Sequence, residues 1–410
     1  MNAEIVGVGT ELLLGQIANT NAQVISRVLA EIGVDVYFHV VVGDNAARIE
    51  GVLREALGRS DVVVVTGGLG PTPDDITREA VAAVTGRKLR RDPELVEKIE
   101  EIFSKLGRSM PADNLRQADL PEGAEVIEPQ GTAPGFWLQH DGSVLFAVPG
   151  VPWEMKAMLT KVVVPTLRAR QDGATTLSKE VLVVGLGESR THELIADLVD
   201  AQTNPTIAYR AGAGLVRVRI TAKAADENTA LGLIRPVESA IRDRLGGDVM
   251  PPDAASPGEA IGHLLRDRGA TVAAAESLTG GLIGAELTTT SGSGDYFLGS
   301  IVCYSDASKR DLAGVDEAIL LGPGAVSEEA AAALAEGAAA RFGADLGLSA
   351  TGVAGPAEQE GKPVGTIFVG ASIGGRTEVR RVQGYGDRDH VRSLAVTSTL
   401  DLGRRLLEES

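Results

Sequence analysis

The chain has 410 residues, a formal net charge of −17, 50 glycines and one cysteine, Cys303. At roughly 100–200 residues per domain, this length predicts two or three domains. The acidic charge disfavours broad electrostatic binding to nucleic acid or to an anionic membrane, because both depend on clustered Lys and Arg. A single cysteine excludes an internal disulfide, and the apolar runs are too short to span a bilayer. With an N-terminus that lacks signal-peptide features, these properties predict a cytoplasmic protein.

The first region, residues 1–172, alternates short β-branched runs with amphipathic helical patterns. The predicted elements in chain order are strand 5–8, helix 21–32, strand 36–42, helix 46–57 and strand 62–66. Strands that alternate with helices indicate parallel βαβ units. Residues 171–174 have the composition of a linker and close this region.

Residues 173–250 have a different rhythm and predict a small α+β domain. Its elements are strand 181–184, helix 191–199, two strands that flank the glycines at 212 and 214, and helix 226–245. A second linker, rich in proline and small residues, covers 250–257.

The last region, 251–410, alternates again. It predicts strand 271–275, helix 280–288, strand 300–304, helix 327–342, strands 345–350, 365–373 and 377–383, and helix 389–407. The sequence therefore predicts an α/β fold class with three domains, 1–172, 173–250 and 251–410.

A glycine-rich loop follows the third predicted strand and contains Gly67, Gly68 and Gly70. Ligands of open α/β sheets bind beyond the carboxyl ends of the strands, where glycines let backbone N–H groups approach a phosphate. Asp74 and Asp75 follow at a helix start. They fit either an N-cap, a role that Thr72 also suits, or a site for a hard divalent metal.

Two more strand ends carry acidic residues. Glu11 follows the first strand, with Asn19 close behind, and Asp44 follows the second. Carboxyl ends of neighbouring parallel strands meet at one edge, so we predict a shared metal and phosphate site. Its predicted metal ligands are Glu11, Asp44, Asp74 and Asp75. The alternative is that these acids are structural.

In the last region, Ser277 lies between a predicted strand and a predicted helix. Backbone N–H groups at the start of that helix could stabilise an oxyanion, which makes Ser277 a candidate nucleophile. The alternative is that Ser277 caps the helix. The histidines of this region, His263 and His390, are not convincing partners. Lys309 is a candidate base, since a lysine buried in a pocket loses its proton more readily. Taken singly, a lysine at this position would more often be a solvated surface residue.

The N-terminal motifs carry a family resemblance. Residues 7–15, 66–75 and 148–156 resemble the N-terminal domain of the CinA family, which is similar to molybdopterin-binding proteins of the MoaB/MogA type. The resemblance implies ADP-ribose pyrophosphatase activity that requires a divalent metal ion (Mg, Mn or Co), with Asp75 catalytic. The substrate would contact Gly67, Gly68, Gly70, Thr72, Asn19 and Lys156. Lys156 could also be an ordinary surface lysine.

Residues 178–250 resemble the KH-type linker domain of the same family. A nucleic-acid-binding KH domain needs a Gly-x-x-Gly loop to clamp backbone phosphates, and residues 185–190 do not have that pattern. We therefore predict a structural spacer that does not bind nucleic acid.

The C-terminal motifs resemble the PncC family of nicotinamide-nucleotide amidohydrolases. They are Glu276-Ser277 with Thr279-Gly280-Gly281, Tyr304 with Lys309, 351–356, 363–366 and 386–388. The resemblance implies hydrolysis of nicotinamide mononucleotide without a cofactor, with Ser277 as nucleophile, Lys309 as base and Tyr304 orienting it. The implied substrate-binding residues are Glu276, Thr279, Gly280, Ser293, Thr351, Gly352, Arg388 and Arg392. Residues 291–294 depart from the Pro-Gly-Ser-Ser pattern of the family, since Gly294 replaces the second serine.

The sequence thus predicts a homodimeric, two-enzyme protein with small-molecule substrates and no nucleic-acid or membrane partner. Two other functions stay open. The glycine loop could bind molybdopterin without hydrolysing ADP-ribose, or the chain could be a non-enzymatic protein of DNA uptake.

Overall fold

The computed structural model describes residues 1–170 and 175–410, and these form two compact units. The first comprises Met1–Ser178 with Ala222–Gly232, and the second comprises Lys179–Thr221 with Leu233–Ser410. The linker predicted at 171–174 lies outside the described residues. Among the helices that are described, none is both long and apolar enough to cross a membrane.

The N-terminal region contains eight strands and seven α-helices within its described residues. In chain order they are β1 (Asn2–Val8), α1 (Thr10–Leu13), α2 (Thr20–Glu31), β2 (Asp35–Val42), α3 (Ala46–Arg59), β3 (Val62–Thr66), α4 (Thr77–Val84), β4 (Leu89–Arg91), α5 (Pro93–Lys105), β5 (Asp119–Pro121), β6 (Glu125–Ile127), β7 (Gly135–His140), β8 (Ser143–Val148), α6 (Pro152–Met158) and α7 (Val164–Arg168). A 3-10 segment covers Ala112–Ala118, and a π-helical segment covers Leu159–Val163.

Six of these strands form one sheet in the order β2-β1-β3-β8-β7-β6. The first four strands are mutually parallel, and β7 and β6 add antiparallel pairs. All five residues of β3 are buried because helices cover both faces of the sheet. Val63 and Val65 pack with α3, α4 and α5, whereas Val62 and Val64 pack with α2 and α6.

The middle region consists of β9 (Thr175–Val184), α8 (Glu188–Asp200), β10 (Thr206–Gly212), β11 (Leu215–Ala224) and α9 (Glu227–Leu245). Its three strands form a sheet in the order β10-β11-β9. The strands predicted on either side of the glycines are β10 and β11, an antiparallel hairpin in which Gly212 pairs with Leu215. A short 3-10 turn, Gly246–Asp248, follows α9.

The C-terminal region contains α10 (Pro257–Arg268), β12 (Val272–Glu276), α11 (Leu282–Leu287), β13 (Phe297–Val302), α12 (Asp306–Ala313), α13 (Glu317–Leu321), α14 (Glu328–Phe342), β14 (Leu346–Gly352), β15 (Thr366–Ile373), β16 (Arg376–Gln383) and α15 (Arg388–Glu409). The sheet order is β13-β12-β14-β15-β16. Strand β12 is parallel to both neighbours, and β15 and β16 are antiparallel additions. The main core lies between this sheet and helices α10, α11 and α15.

The predicted α/β fold class is confirmed, and the predicted strands and helices are present with shifted ends. Helix α11 starts at Leu282 rather than at 280, because Gly280 and Gly281 adopt left-handed φ angles of 59° and 100°. Elements for which no prediction was made include β4–β8, α10 and α12. Their apolar patterns are short or interrupted, which makes them hard to recognise without the neighbouring strands.

Candidate active sites

Ser277 lies on the turn that directly follows β12. Its backbone N–H donates to the Ala350 carbonyl at 2.9 Å, and its carbonyl accepts from the Gly280 N–H at 3.2 Å. Two left-handed glycines then connect the turn to α11. Only 9% of Ser277 is exposed. The turn therefore holds a largely buried serine at the carboxyl edge of the sheet, between β13 and β14.

Glu276, the last residue of β12, is fully buried and occupies the N-terminus of α11. Its carboxylate accepts from the backbone N–H groups of Gly281, Ile283 and Gly284 at 2.9–3.0 Å, and from the Ser300 hydroxyl at 2.7 Å. The helix amides expected to stabilise an oxyanion are therefore already used. Glu276 is a clamp on this helix rather than the predicted substrate ligand.

Two amides of the Ser277 turn remain available. Within the described part of the chain, the backbone N–H groups of Leu278 and Thr279 have no protein acceptor. The Thr279 hydroxyl is buried and also lacks a partner there. These three donors belong to the residues directly after Ser277, so the turn itself, and not the helix, is the candidate oxyanion site.

Lys309 lies on α12, the helix that follows the neighbouring strand β13 at the same edge of the sheet. Glu276 pairs with Val302 of β13, and the Cys303 N–H donates to the Glu276 carbonyl at 2.7 Å. The next residue, Tyr304, has a carbonyl that accepts from the Lys309 ammonium at 3.3 Å. Lys309 is 2% exposed, and burial lowers the pKa of its amine. The structure thus gives Lys309 the desolvated environment of a general base rather than that of a surface lysine.

Two arginines at the start of α15 tie the site together. Arg388 donates to the Tyr304 hydroxyl at 3.0 Å and to the Gly355 carbonyl at 2.7 Å. Arg392 donates to the carbonyls of Leu278 and Thr279 at 3.0 and 2.9 Å. Arg392, predicted to contact substrate, therefore braces the Ser277 turn. Arg388 is exposed beside Tyr304.

Thr351 and Gly352, predicted to contact substrate, have structural roles. The buried Thr351 hydroxyl donates to the Ala325 carbonyl at 2.7 Å. A Cβ at Gly352 would lie 2.5 Å from the Thr366 carbonyl oxygen, so only glycine allows β14 and β15 to approach here. Both residues shape the edge of the sheet next to Ser277.

The predicted substrate contact Ser293 lies away from this site. It occupies a short 3-10 turn that leads into β13. The first residue of β13, Phe297, pairs with Val272 at the start of β12, whereas Ser277 follows the end of β12. Helix α11 returns the chain to the opposite edge of the sheet, so Ser293 and Ser277 of one chain are separated by the length of a strand.

The glycine loop after β3 has tethered carbonyls and free amides. Thr77 donates to the carbonyls of Gly67 and Gly68, and Arg78 donates to those of Leu69 and Gly70. Among the described residues, no acceptor contacts the backbone N–H groups of Gly68, Leu69 and Gly70. Consecutive backbone N–H groups without a protein acceptor are donors of the kind that bind anions in proteins, which makes this loop a candidate phosphate site.

The four predicted metal ligands are not assembled. Asp44 accepts from the Thr10 N–H at 2.9 Å, and Asp75 accepts from the Thr72 N–H at 2.9 Å. Asp74 is exposed, and a hydrogen bond from Thr72 lowers the pKa of its carboxyl. Glu11 folds back over Gly9. Across residues 1–170 and 175–410, no three His, Cys, Asp or Glu side chains form a group that could hold a metal ion. The prediction of a shared centre at Glu11, Asp44, Asp74 and Asp75 is therefore corrected.

Two other residues predicted to contact substrate at this edge are a helix cap and an exposed side chain. Asn19 caps α2 by accepting from the Ala22 N–H, and Lys156 is exposed on α6. Three further residues that hold this edge were not predicted from the sequence. Arg78 follows the Asp-Asp pair, which is a usable signal. Asn21 bridges Thr66 and Gly150, and Arg116 donates to the carbonyls of Thr72 and Asp75, contacts that no local pattern indicates.

Comparison with protein-family models finds three matches along the chain. Residues 4–169 match the "Probable molybdopterin binding domain", 178–250 match the "Damage-inducible protein CinA KH domain", and 255–407 match the "CinA C-terminal domain". Together these matches cover both regions that carry the candidate sites.

Similar proteins match over nearly the whole length. A protein of Symbiobacterium thermophilum named as competence-damage inducible is 45% identical and covers 99% of each chain. A "CinA-like protein" of Frankia casuarinae is 46% identical and covers 99% of this chain and 96% of its own. The solved structure of the protein CinA from Thermoplasma acidophilum is 38% identical, with a TM-score of 0.38, and covers 41% of this chain and 97% of its own. The chain therefore belongs to the CinA family, with a MoaB/MogA-like domain, a CinA KH domain and a CinA C-terminal domain.

Proposed function

We propose that the second unit is a nicotinamide-nucleotide amidohydrolase that converts nicotinamide mononucleotide to nicotinate mononucleotide and ammonia. The observation that carries this proposal is the pairing of two features at one sheet edge. Ser277 sits on a turn with free amides, and the adjacent strand leads to a lysine that is 2% exposed. Nucleophile, base and oxyanion donors are the parts required for acyl transfer.

The proposed reaction follows from these positions. The Ser277 hydroxyl oxygen attacks the carboxamide carbon while Lys309 accepts the hydroxyl proton. The developing oxyanion receives hydrogen bonds from the amides of Leu278 and Thr279. The C–N bond then breaks, and Lys309 returns the proton to the departing ammonia. Water attacks the acyl-enzyme, releases nicotinate mononucleotide and restores Ser277.

Product analysis tests this proposal directly. The purified chain is incubated with nicotinamide mononucleotide, and ammonia and nicotinate mononucleotide are quantified. We expect the two products in equal amounts and no effect of a chelator, because no step uses a metal ion. Absence of both products from a folded sample would contradict the proposal. That result would favour the alternative of a non-enzymatic role.

The pH dependence of deamidation reports on Lys309. Only the neutral amine can accept the serine proton, and burial lowers the pKa of Lys309 below its ordinary value of 10.5. We expect kcat to rise with pH through this lowered pKa and to level off before an ordinary lysine would titrate. A rising limb at or above 10.5 would contradict the role of Lys309 as the base.

For the N-terminal region we propose hydrolysis of the diphosphate of ADP-ribose. The specific support is the row of free N–H groups at Gly68, Leu69 and Gly70, which suits a phosphate. Among the residues that the structure describes, no carboxylate cluster is preformed for the implied divalent ion (Mg, Mn or Co), so the ion would have to arrive bound to the diphosphate.

Gly67→Ala tests the glycine loop. A Cβ at Gly67 would clash with the Val8 carbonyl oxygen, and its φ of 105° strains any other residue. We expect ADP-ribose hydrolysis, measured as AMP formation with added divalent ion, to fall about 100-fold while deamidation is unchanged. Gly86→Ala is the matched control, because Gly86 is also left-handed (φ 68°) but faces open space.

The same assay separates the two functions of this loop. AMP formation by the unaltered chain supports the hydrolase. Binding of a pterin without AMP formation would support the molybdopterin-binding alternative instead.

A further inference from the structure

The β10–β11 hairpin of the middle region has a tight turn that contacts α15. Ala213 and Gly214 form this turn with φ angles of 49° and 75°. A Cβ at Gly214 would clash with a Leu394 methyl group and would lie 3.9 Å from the Thr397 methyl group. The turn therefore lies against the Leu394 side chain of α15, and a larger residue at 214 would have to displace that side chain and adopt a strained left-handed φ.

The contacted part of α15 is the part that braces the Ser277 site. Leu394 lies two residues after Arg392, whose guanidinium holds the carbonyls of Leu278 and Thr279. One turn earlier, Arg388 holds the Tyr304 hydroxyl. A displacement of this end of the helix would move both arginines and, through them, the turn after Ser277 and the side chain of Tyr304.

A cavity of about 400 Å³ gives a second, independent link between the same elements. Its lining includes Arg217 of β11, Leu282 at the start of α11 and Ser393 of α15. The strand that follows the turn thus borders both the helix after Ser277 and the helix that carries the two arginines.

Buried charges fix the far part of α15 to the same region. Asp401 is fully buried and accepts from Arg404 and Arg405 at 2.8 and 2.9 Å. Arg404 also donates to the Gly247 carbonyl, and Arg405 donates to Asp248. Because this far end is anchored, a push at Leu394 would act on the N-terminal turns, where Arg388 and Arg392 lie.

We propose that the middle region is a positioning element for the Ser277 site, with Gly214 and Leu394 as positioning residues that act through Arg388 and Arg392. The proposal rests on the deamidase function proposed above. It gives the middle region a role other than a passive spacer, without requiring that it bind nucleic acid.

Gly214→Val in the full chain tests the proposal. We expect kcat for ammonia release to fall about 10- to 100-fold with KM within about twofold, because the substituent misplaces the turn rather than the substrate. Amide hydrogen exchange over residues 278–284 should become on the order of tenfold faster, since these amides report on the braced turn. Leu394→Ala, which removes the contact without adding bulk, should change both quantities in the same direction.

Gly142→Val is the matched control. Gly142 occupies the same kind of two-residue hairpin turn, with Asp141 and Gly142 at φ 47° and 90°, but nothing lies within 4 Å of its Cβ position. It should leave kcat and exchange at 278–284 unchanged. Unchanged exchange at 278–284 in Gly214→Val, or an equal effect of Gly142→Val, overturns the inference. Failure of the unaltered chain to release ammonia would instead overturn the proposed function, and the exchange comparison would still decide this inference.

Discussion

Ser277→Ala and Lys309→Met should each nearly abolish ammonia release from nicotinamide mononucleotide, and the double variant should be scarcely slower than either. The two residues act as a unit, since the lysine has a catalytic function only if the serine hydroxyl gives up its proton. Losses within such a unit are strongly non-additive. For Lys309→Met we expect kcat to fall about 10²–10⁴-fold, the usual contribution of a general base.

The fold should survive these changes. Lys309 is buried, and burial disfavours its charged form. Methionine has a similar length and carries no charge to desolvate, so the thermal unfolding midpoint should not fall. Circular dichroism and calorimetry check this expectation.

Lys362→Met is the matched control for the lysine. Like Lys309, Lys362 donates to a backbone carbonyl at 3.3 Å, that of Pro323, but it is not buried. This variant should keep full activity. The assignment of Lys309 fails if Lys309→Met slows the reaction less than about tenfold. Substantial deamidation by a folded Ser277→Ala protein would separately exclude Ser277 as the nucleophile.

The sheets whose strand ends position these sites were largely predictable from the sequence. Alternating strands and helices indicate parallel sheets, and parallel sheets bring consecutive strand ends to one edge. That rule placed the glycine loop after Thr66 at a carboxyl edge, and the predicted strand before Ser277 placed this serine in the same kind of position, where the structure has them. The turn at Ser277 was recognisable because Ser277 lies between the predicted strand 271–275 and the predicted helix 280–288, although the structure assigns both glycines to the turn.

The partners of those residues were not predictable, since they depend on contacts between distant segments. Arg392 reaches the Leu278 carbonyl across 114 positions, and Arg116 reaches the Asp75 carbonyl across 41. Neither contact leaves a local pattern. The four acids near the glycine loop were expected to share a metal because their strands are neighbours. The direction of each side chain decided otherwise, since Asp75 accepts from the Thr72 N–H of its own loop and Asp44 accepts from the Thr10 N–H at the start of α1.

The contacts of Glu276 were equally unpredictable from the sequence, because they depend on how α11 and β13 pack around its side chain. The family resemblance implies that Glu276 contacts the substrate, but its carboxylate is fully buried against α11. One oxygen accepts from the amides of Gly281 and Ile283, and the other accepts from Gly284 and the Ser300 hydroxyl. Four donors therefore depend on one side chain that is adjacent to Ser277.

Glu276→Ala should destabilise the second unit by about 3–5 kcal/mol, the range found when one partner of a buried charged contact is removed. Glu276→Gln should be milder. The glutamine side-chain oxygen can still accept the hydrogen bonds from the Gly281 and Ile283 N–H groups. Its NH2 group can donate to the Ser300 hydroxyl oxygen if that hydroxyl rotates. Only the Gly284 amide then lacks an acceptor, at a cost of about 1–3 kcal/mol. Calorimetric unfolding of the full chain measures the order of the two variants.

Both variants should also slow deamidation beyond any loss of folded protein, because the clamp fixes the helix to which the Ser277 turn is joined. We expect kcat of folded Glu276→Gln to fall roughly 10- to 100-fold with little change in KM, as for other misplacements of a reacting group. Glu286→Gln is the control on the same helix, since the Glu286 carboxylate has no hydrogen-bond or ion-pair partner among the residues that the structure describes. A Glu276→Gln protein with a raised KM and an unchanged kcat would indicate that Glu276 binds substrate. It would contradict the proposal that its contacts with α11 contribute to catalysis.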